Sequence, residues 1–170
     1  MENGMTKLME ALRTELSTLS KFMQECNGER LADFKYKGPQ DLVLREGREF
    51  MHNTGTKLPK GIRWGKQKQC FKNAFELASR HPGLTYVEGY GHRIIAAHHA
   101  WVIDEAGNVI DNTWRPNKDR PEWNEIAYLG IPMNMEFVEK AILAKGSYGV
   151  LDMEPLIEIL KGERNGWEPK

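Results

Sequence analysis

The stretch RIIAAHHAWVIDEAGNVIDNTW, residues 93–114, constrains the fold more than any other part of the chain. Its short apolar runs, IIAA and AWVI, read as a strand, in which successive side chains face opposite sides. The run breaks at EAGN and resumes as VIDNTW. Two such segments joined by a Gly-Asn turn read as an antiparallel hairpin. An isolated hairpin is marginal in water, so the rest of the chain has to supply strands and helices to cover it.

The candidates are easily found. LTYVEGYG (84–91) reads as a β-rich segment bounded by glycine, and IAYLGIPM (126–133) as a further strand. Residues 5–25 carry Leu8, Leu12, Leu16, Leu19 and Met23 at helical intervals. Residues 67–80, QKQCFKNAFELASR, place Phe71, Ala74, Phe75 and Ala78 on one helical stripe that HPG ends. Asn134 is placed to cap a helix over MEFVEKAILAK, which Gly146 stops, and a short last helix is expected over 153–161. Residues 27–62 are polar and interrupted by glycine and proline, so they read as an extended segment wrapping a core built elsewhere. Helices segregated from an antiparallel sheet make an α+β fold. The 170 residues fit one domain. It comprises an N-terminal helix (1–26), the wrapping segment (27–62), a helix with the sheet (63–133) and C-terminal helices (134–170).

Charge excludes some functions. Lysine and arginine number 24, aspartate and glutamate 24, so the formal net charge is zero. Nucleic-acid binding driven by bulk charge is not expected, although KLPKGIRWGKQKQ (57–69) is locally basic. No apolar run approaches the ~20 residues of a membrane span, and the N-terminus lacks the order of a signal peptide. A cytoplasmic protein is therefore expected. Cys26 and Cys70 form no CxxC pattern, and His52, His81 and His92 lack metal-ligand spacing, so neither a metal nor another cofactor is expected.

Cys70 stands at the start of a predicted helix. There the unpaired N–H groups and the positive end of the helix dipole stabilise a thiolate, and Lys66, Lys68 and Lys72 act in the same direction. Cys26 reads as a half-buried residue at a helix end. His98 and His99 point to opposite faces of one strand and cannot clamp a metal together. His99 is in phase with Trp101 and Ile103 and is assigned inward, with His98 as its outward neighbour. The returning strand offers His99 two polar partners, Asp111 and Asn112, and the register of the turn chooses between them. A thiol, an imidazole and a group that orients the imidazole make a nucleophilic triad.

These residues resemble the transglutaminase-like branch of the papain-like thiol hydrolases. In that family a cysteine opens a helix, a His-Ala-Trp segment lies on a strand and an Asp-Pro-Thr segment on the next. The matching segments are QCFKNA with Cys70, HAW with His99 and DNT with Asp111, while Asn112 stands where the family often has proline. The resemblance spans residues 65–115. It implies a papain-like core and a thioester mechanism on an amide bond of a protein, a peptide or a small molecule, by hydrolysis or by acyl transfer. Its members include proteases, deamidases and cross-linking transferases, and also inactive relatives. A non-catalytic binding or inhibitor module of viral or bacterial origin is thus the alternative.

Around the triad, the backbone N–H of Cys70 is a candidate oxyanion donor, with Gln67 or Gln69 adding a side-chain amide. Trp64 is a candidate wall of the cleft. Glu88 and Tyr90 share a strand face and are candidates for its mouth.

Overall fold

We analysed a computed structural model of the chain, which describes residues 2–151 and 154–163. Its framework is one five-stranded antiparallel sheet. The strands are β1 (Arg48–Asn53), β2 (Thr85–His92), β3 (Ala96–Ile103), β4 (Val109–Ile110) and β5 (Glu125–Met133), in the spatial order β1-β5-β2-β3-β4. The helices are α1 (Glu2–Asn27), α2 (Pro39–Glu46), α3 (Cys70–Arg80), α4 (Met135–Lys145) and α5 (Glu154–Lys161). The expected α+β class therefore holds. Residue 153, where the last helix was expected to begin, lies outside the described residues. Among the described residues no helix is long and apolar enough to cross a membrane.

The period-two alternation sorts the sheet into two faces with different contents. Tyr86, Tyr90, Ala100, Val102, Leu129, Ile131 and Met133 face the helices. Leu12 and Leu16 of α1, Val43 of α2, Leu77 of α3 and Val138 of α4 complete that core. Val87, Trp101, Ile103, Val109, Ile126 and Tyr128 form a second, mainly aromatic cluster on the other face, edged by Phe50 and Trp114. The aromatic rings fit on this face because glycines leave room. A β-carbon at Gly130 would stand 2.4 Å from the Trp101 ring, and one at Gly91 2.7 Å from the Trp114 ring.

Several expectations change. Residues 27–62 are not simply extended, because they hold α2 and β1. Pro39 at the first turn of α2 costs no hydrogen bond, and β1 joins the sheet by pairing with β5 from Arg48↔Gly130 to Asn53↔Glu125. These elements are short and owe their formation to a partner surface, which local sequence does not announce. The stripe on α1 is buried only at its centre. Leu12 and Leu16 are inaccessible, whereas Leu19 and Met23 are exposed, since the helix runs on past the sheet it covers. Cys26, expected to be half-buried, is exposed for the same reason. The helix expected from residue 67 begins at Cys70. Before it the chain turns, and Lys68 adopts a left-handed φ of 63°. In α4 both caps are as expected: the Asn134 side chain accepts the Glu136 N–H, and Gly146 is left-handed at φ 74°.

Candidate functional site

The β3–β4 hairpin turns at Asp104–Asn108. The Asp104 carboxylate accepts the N–H groups of Ala106 and Asn108, and Gly107 takes φ 82°. This turn sets Val102 opposite Ile110 and Ile103 opposite Val109. β4 then ends, so β3 from Ala96 to Trp101 has no strand beyond it on that side. The start of α3 comes up to this open edge. Phe71 meets the His98 ring on one face of β3, with ring centres 4.8 Å apart. The Cys70 side chain stands beside His99 on the other, close enough to act on its imidazole.

The register resolves the choice that the sequence left between Asp111 and Asn112. His99 Nε2 lies 2.8 Å from Asp111 Oδ2. The Asn112 side chain donates instead to the Arg63 carbonyl, and the Asn112 backbone carbonyl accepts the Gly65 N–H. With Nε2 held by Asp111, Nδ1 is the ring nitrogen left for the thiol.

Asp111 is itself fully engaged. Its Oδ1 accepts the N–H groups of Thr113 (2.7 Å) and Trp114 (3.1 Å), and its Oδ2 also accepts the Tyr128 hydroxyl (2.8 Å). His99 and Asp111 are each 1% exposed. Burial favours the neutral form of both. For His99 the Asp111 charge and hydrogen bond, together with the Cys70 contact, outweigh burial and raise the imidazole to about 9. For Asp111 burial is outweighed by the His99 charge and by the hydrogen bonds from His99, Thr113 and Tyr128, which hold the carboxyl below its ordinary range. The Trp114 ring stacks on His99 at 4.0 Å and 19°, a face that stabilises a cationic imidazole and keeps water off it. The Tyr128 hydroxyl, next to the Asp111 charge, is held well above its ordinary value, chiefly by burial. It remains a donor.

Cys70, His99 and Gln67 open onto one cleft of about 790 Å³, also lined by Phe71, His98, Thr113 and Trp114. Gln69 is the residue just before α3 and makes no capping bond with its side chain, and it is not part of the cleft lining. Trp64 also lies outside that lining, with its ring 5.9 Å from the Arg115 guanidinium carbon. Glu88 and Tyr90 are corrections. Both face the helices: Glu88 is 0% exposed and Tyr90 is buried against His98. Glu88 accepts the N–H groups of Val150 and Leu151 and the Tyr86 hydroxyl, so it anchors the C-terminal segment rather than the cleft mouth. His98 is not simply outward either. It lines the cleft, but its Nε2 approaches Glu88 Oε1 to 3.1 Å without the alignment of a hydrogen bond. Among the described residues no group of three or more His, Cys, Asp or Glu side chains is placed to hold a metal.

No protein-family model matches this chain, and comparison with curated proteins and with solved structures finds no match either. The site therefore stands on its own geometry.

Two contributors escaped the sequence reading. Tyr128 sits on a strand whose neighbours were unknown, so nothing pointed it at Asp111. Asn73 is the other. Its amide donates to the Lys66 carbonyl and to the Thr113 hydroxyl, each at 2.8 Å, and so ties the start of α3 to the segment after Asp111. A polar residue one turn after Cys70, inside an apolar stripe, was the available signal. Gly65 packs against Asn73 so closely that a β-carbon there would stand 2.4 Å from its amide carbon.

Proposed function

We propose that this chain is a cysteine-nucleophile hydrolase or acyl transferase acting on an amide bond, with Cys70, His99 and Asp111 as its triad on a papain-like, transglutaminase-like core. The observation that carries the reading is one imidazole held between two groups. Asp111 binds Nε2 at 2.8 Å, and the Cys70 side chain stands beside the same ring, at a helix start that opens onto a cleft.

The chemistry follows from that order. With His99 raised to about 9, the imidazolium predominates at neutral pH and stands beside the sulfur as the counter-ion a thiolate needs. The thiolate attacks the amide carbonyl, forming the S–C bond and pushing the carbonyl electron pair onto oxygen. The backbone N–H of Cys70 has no partner within its helix and is available to that oxyanion, with Gln67 as the side-chain donor in the same cleft. Collapse of the tetrahedral adduct breaks the C–N bond, and His99 gives its proton to the departing amine. Neutral His99 then takes a proton from water or from an acceptor amine, which attacks the thioester and releases Cys70. Asp111 keeps the ring oriented throughout and stabilises its charged form.

Iodoacetamide labelling tests this, with peptide mass spectrometry reading Cys70 and Cys26 separately. Cys26 is exposed and serves as the reference thiol. At near-neutral pH Cys70 is expected to react faster than Cys26 although it is less accessible, and Cys70→Ala is expected to lose the fast labelling with its circular dichroism unchanged. Labelling that tracks Cys26, or that reaches Cys70 only under alkaline conditions, overturns the assignment and leaves a binding module.

A further inference from the structure

The whole chain carries equal numbers of acidic and basic residues, yet the cleft does not. Lys68, Arg93, Arg115 and Lys118 line it against a single carboxylate, Asp119. Among the described residues none of these four cations forms an ion pair with a carboxylate. Lys68, Arg115 and Lys118 are exposed at the rim. Arg93 is half-buried and positioned by its own hydrogen bonds: Nη2 donates to Thr54 Oγ1 and to the Arg115 carbonyl, each at 3.1 Å. Its Nε is buried and has no hydrogen-bond partner. That N–H faces away from solvent, so it is the rest of the guanidinium, held in the cleft lining among cations without an ion pair, that is placed to meet an anion.

Lys68 adds a second observation. It holds a left-handed backbone with φ 63°, a conformation that non-glycine residues seldom adopt. It does so two positions before Cys70, in the turn that sets Gln67 and Lys68 at the cleft.

We propose that the cleft selects a carboxylate-bearing acyl donor, that is, an amide substrate with a negative charge close to the carbonyl that Cys70 attacks. Arg93 and Arg115 receive the carboxylate, and Lys68 and Lys118 raise its local concentration. This rests on Cys70 being the nucleophile, and it adds the charge of the substrate. A neutral amide lacks the group these cations leave unsatisfied, and a cationic one is repelled.

The test compares iodoacetate with iodoacetamide, two alkylating agents that differ mainly in charge. In each case the sulfur displaces iodide and an S–CH2 bond forms, so only approach to the cleft is being compared. The ratio of the iodoacetate rate to the iodoacetamide rate is expected to be roughly tenfold higher at Cys70 than at Cys26, and to fall as salt is raised. Arg115→Gln with Lys118→Gln, both exposed and foldable, is expected to lower that ratio at Cys70 by about threefold or more. A peptidyl acyloxymethyl ketone ending in aspartate, set against its asparagine counterpart, identifies the source. Preference for the aspartate probe marks a peptide-borne carboxylate, and an iodoacetate preference without it marks a small one.

The failures are distinct. If iodoacetamide labels Cys70 rapidly but the ratio equals that at Cys26, the nucleophile stands and the carboxylate preference falls. A high ratio that survives the double substitution does not arise from Arg115 and Lys118 and likewise overturns the proposal. If neither reagent prefers Cys70, the nucleophile assignment falls and takes the substrate inference with it.

Discussion

At the scale of single residues, His99 and Asp111 stabilise each other's charged forms inside a dry site. The signs of their titrations follow. His99 is raised from 6.5 to about 9, so the stability it contributes is fully present below pH 6.5 and is lost as pH rises through about 9. Asp111 is depressed, so its contribution is present above its ordinary value of 3.8 and is lost as pH falls through the lower, folded-state value. Asp111→Asn separates the influences on His99. Burial remains and pushes the imidazole down, while the charge that raised it is gone. The His99 ring, followed by NMR, is expected to titrate near 9 in the wild type and clearly lower in Asp111→Asn. Under the proposed mechanism, amide turnover is expected to drop on the order of 100-fold or more, as when the orienting acid of a triad is neutralised. A His99 titration that stays near 9 in the variant would show that Asp111 is not what raises it.

Elements decide where those residues meet. β4 is two residues long, and its brevity leaves the β3 edge open for the start of α3. One turn of helix therefore presents Cys70 to one face of β3 and Phe71 to the other. The aromatic face depends equally on what β5 omits. Gly130 lets the Trp101 ring cross β5, and Gly130→Ala would drive a β-carbon to 2.4 Å from that ring. Neither the ring nor a strand held by β1 and β2 can retreat, so the substitution is expected to destabilise the protein by about 1–3 kcal/mol in urea unfolding. Because Trp101 also lies against Tyr128, which binds Asp111, the His99 titration is expected to shift in the same variant. A stability unchanged within 0.5 kcal/mol, the usual range for inconsequential substitutions, would mean the face repacks.

The whole molecule is tied together by a buried carboxylate outside the candidate triad. Glu88, in the central strand β2, receives the backbone N–H groups of Val150 and Leu151, more than sixty residues along the chain. This fastens the segment after α4 across the helical face of the sheet. Glu88→Gln replaces an acceptor by an amide whose NH2 faces other N–H donors. It is expected to cost about 1–3 kcal/mol, the range for leaving buried hydrogen-bond donors unsatisfied. Hydrogen exchange is the sharper reading: the Val150 and Leu151 amides should lose protection before the β2–β3 amides do. Simultaneous loss across the sheet would mean that Glu88 supports the entire core and not the C-terminal segment.

Much of this arrangement was legible in the linear chain, because it rests on local rules. Period-two alternation put His99 on one face with Trp101 and Ile103, and a helix stripe beginning near Cys70 put the thiol at a helix start. The pattern Asn134…Gly146 bounded α4. What the chain alone could not decide depended on pairing between distant segments. The turn at Asp104–Asn108 chose Asp111 over Asn112, since one step of register exchanges the two faces of a strand. The insertion of β5 beside β2 sent Glu88 and Tyr90 to the helical core, and it brought Tyr128 to Asp111. A polar residue on a strand reads the same at a solvent edge or in a core until its neighbouring strands are known. Only the tertiary structure supplies those neighbours.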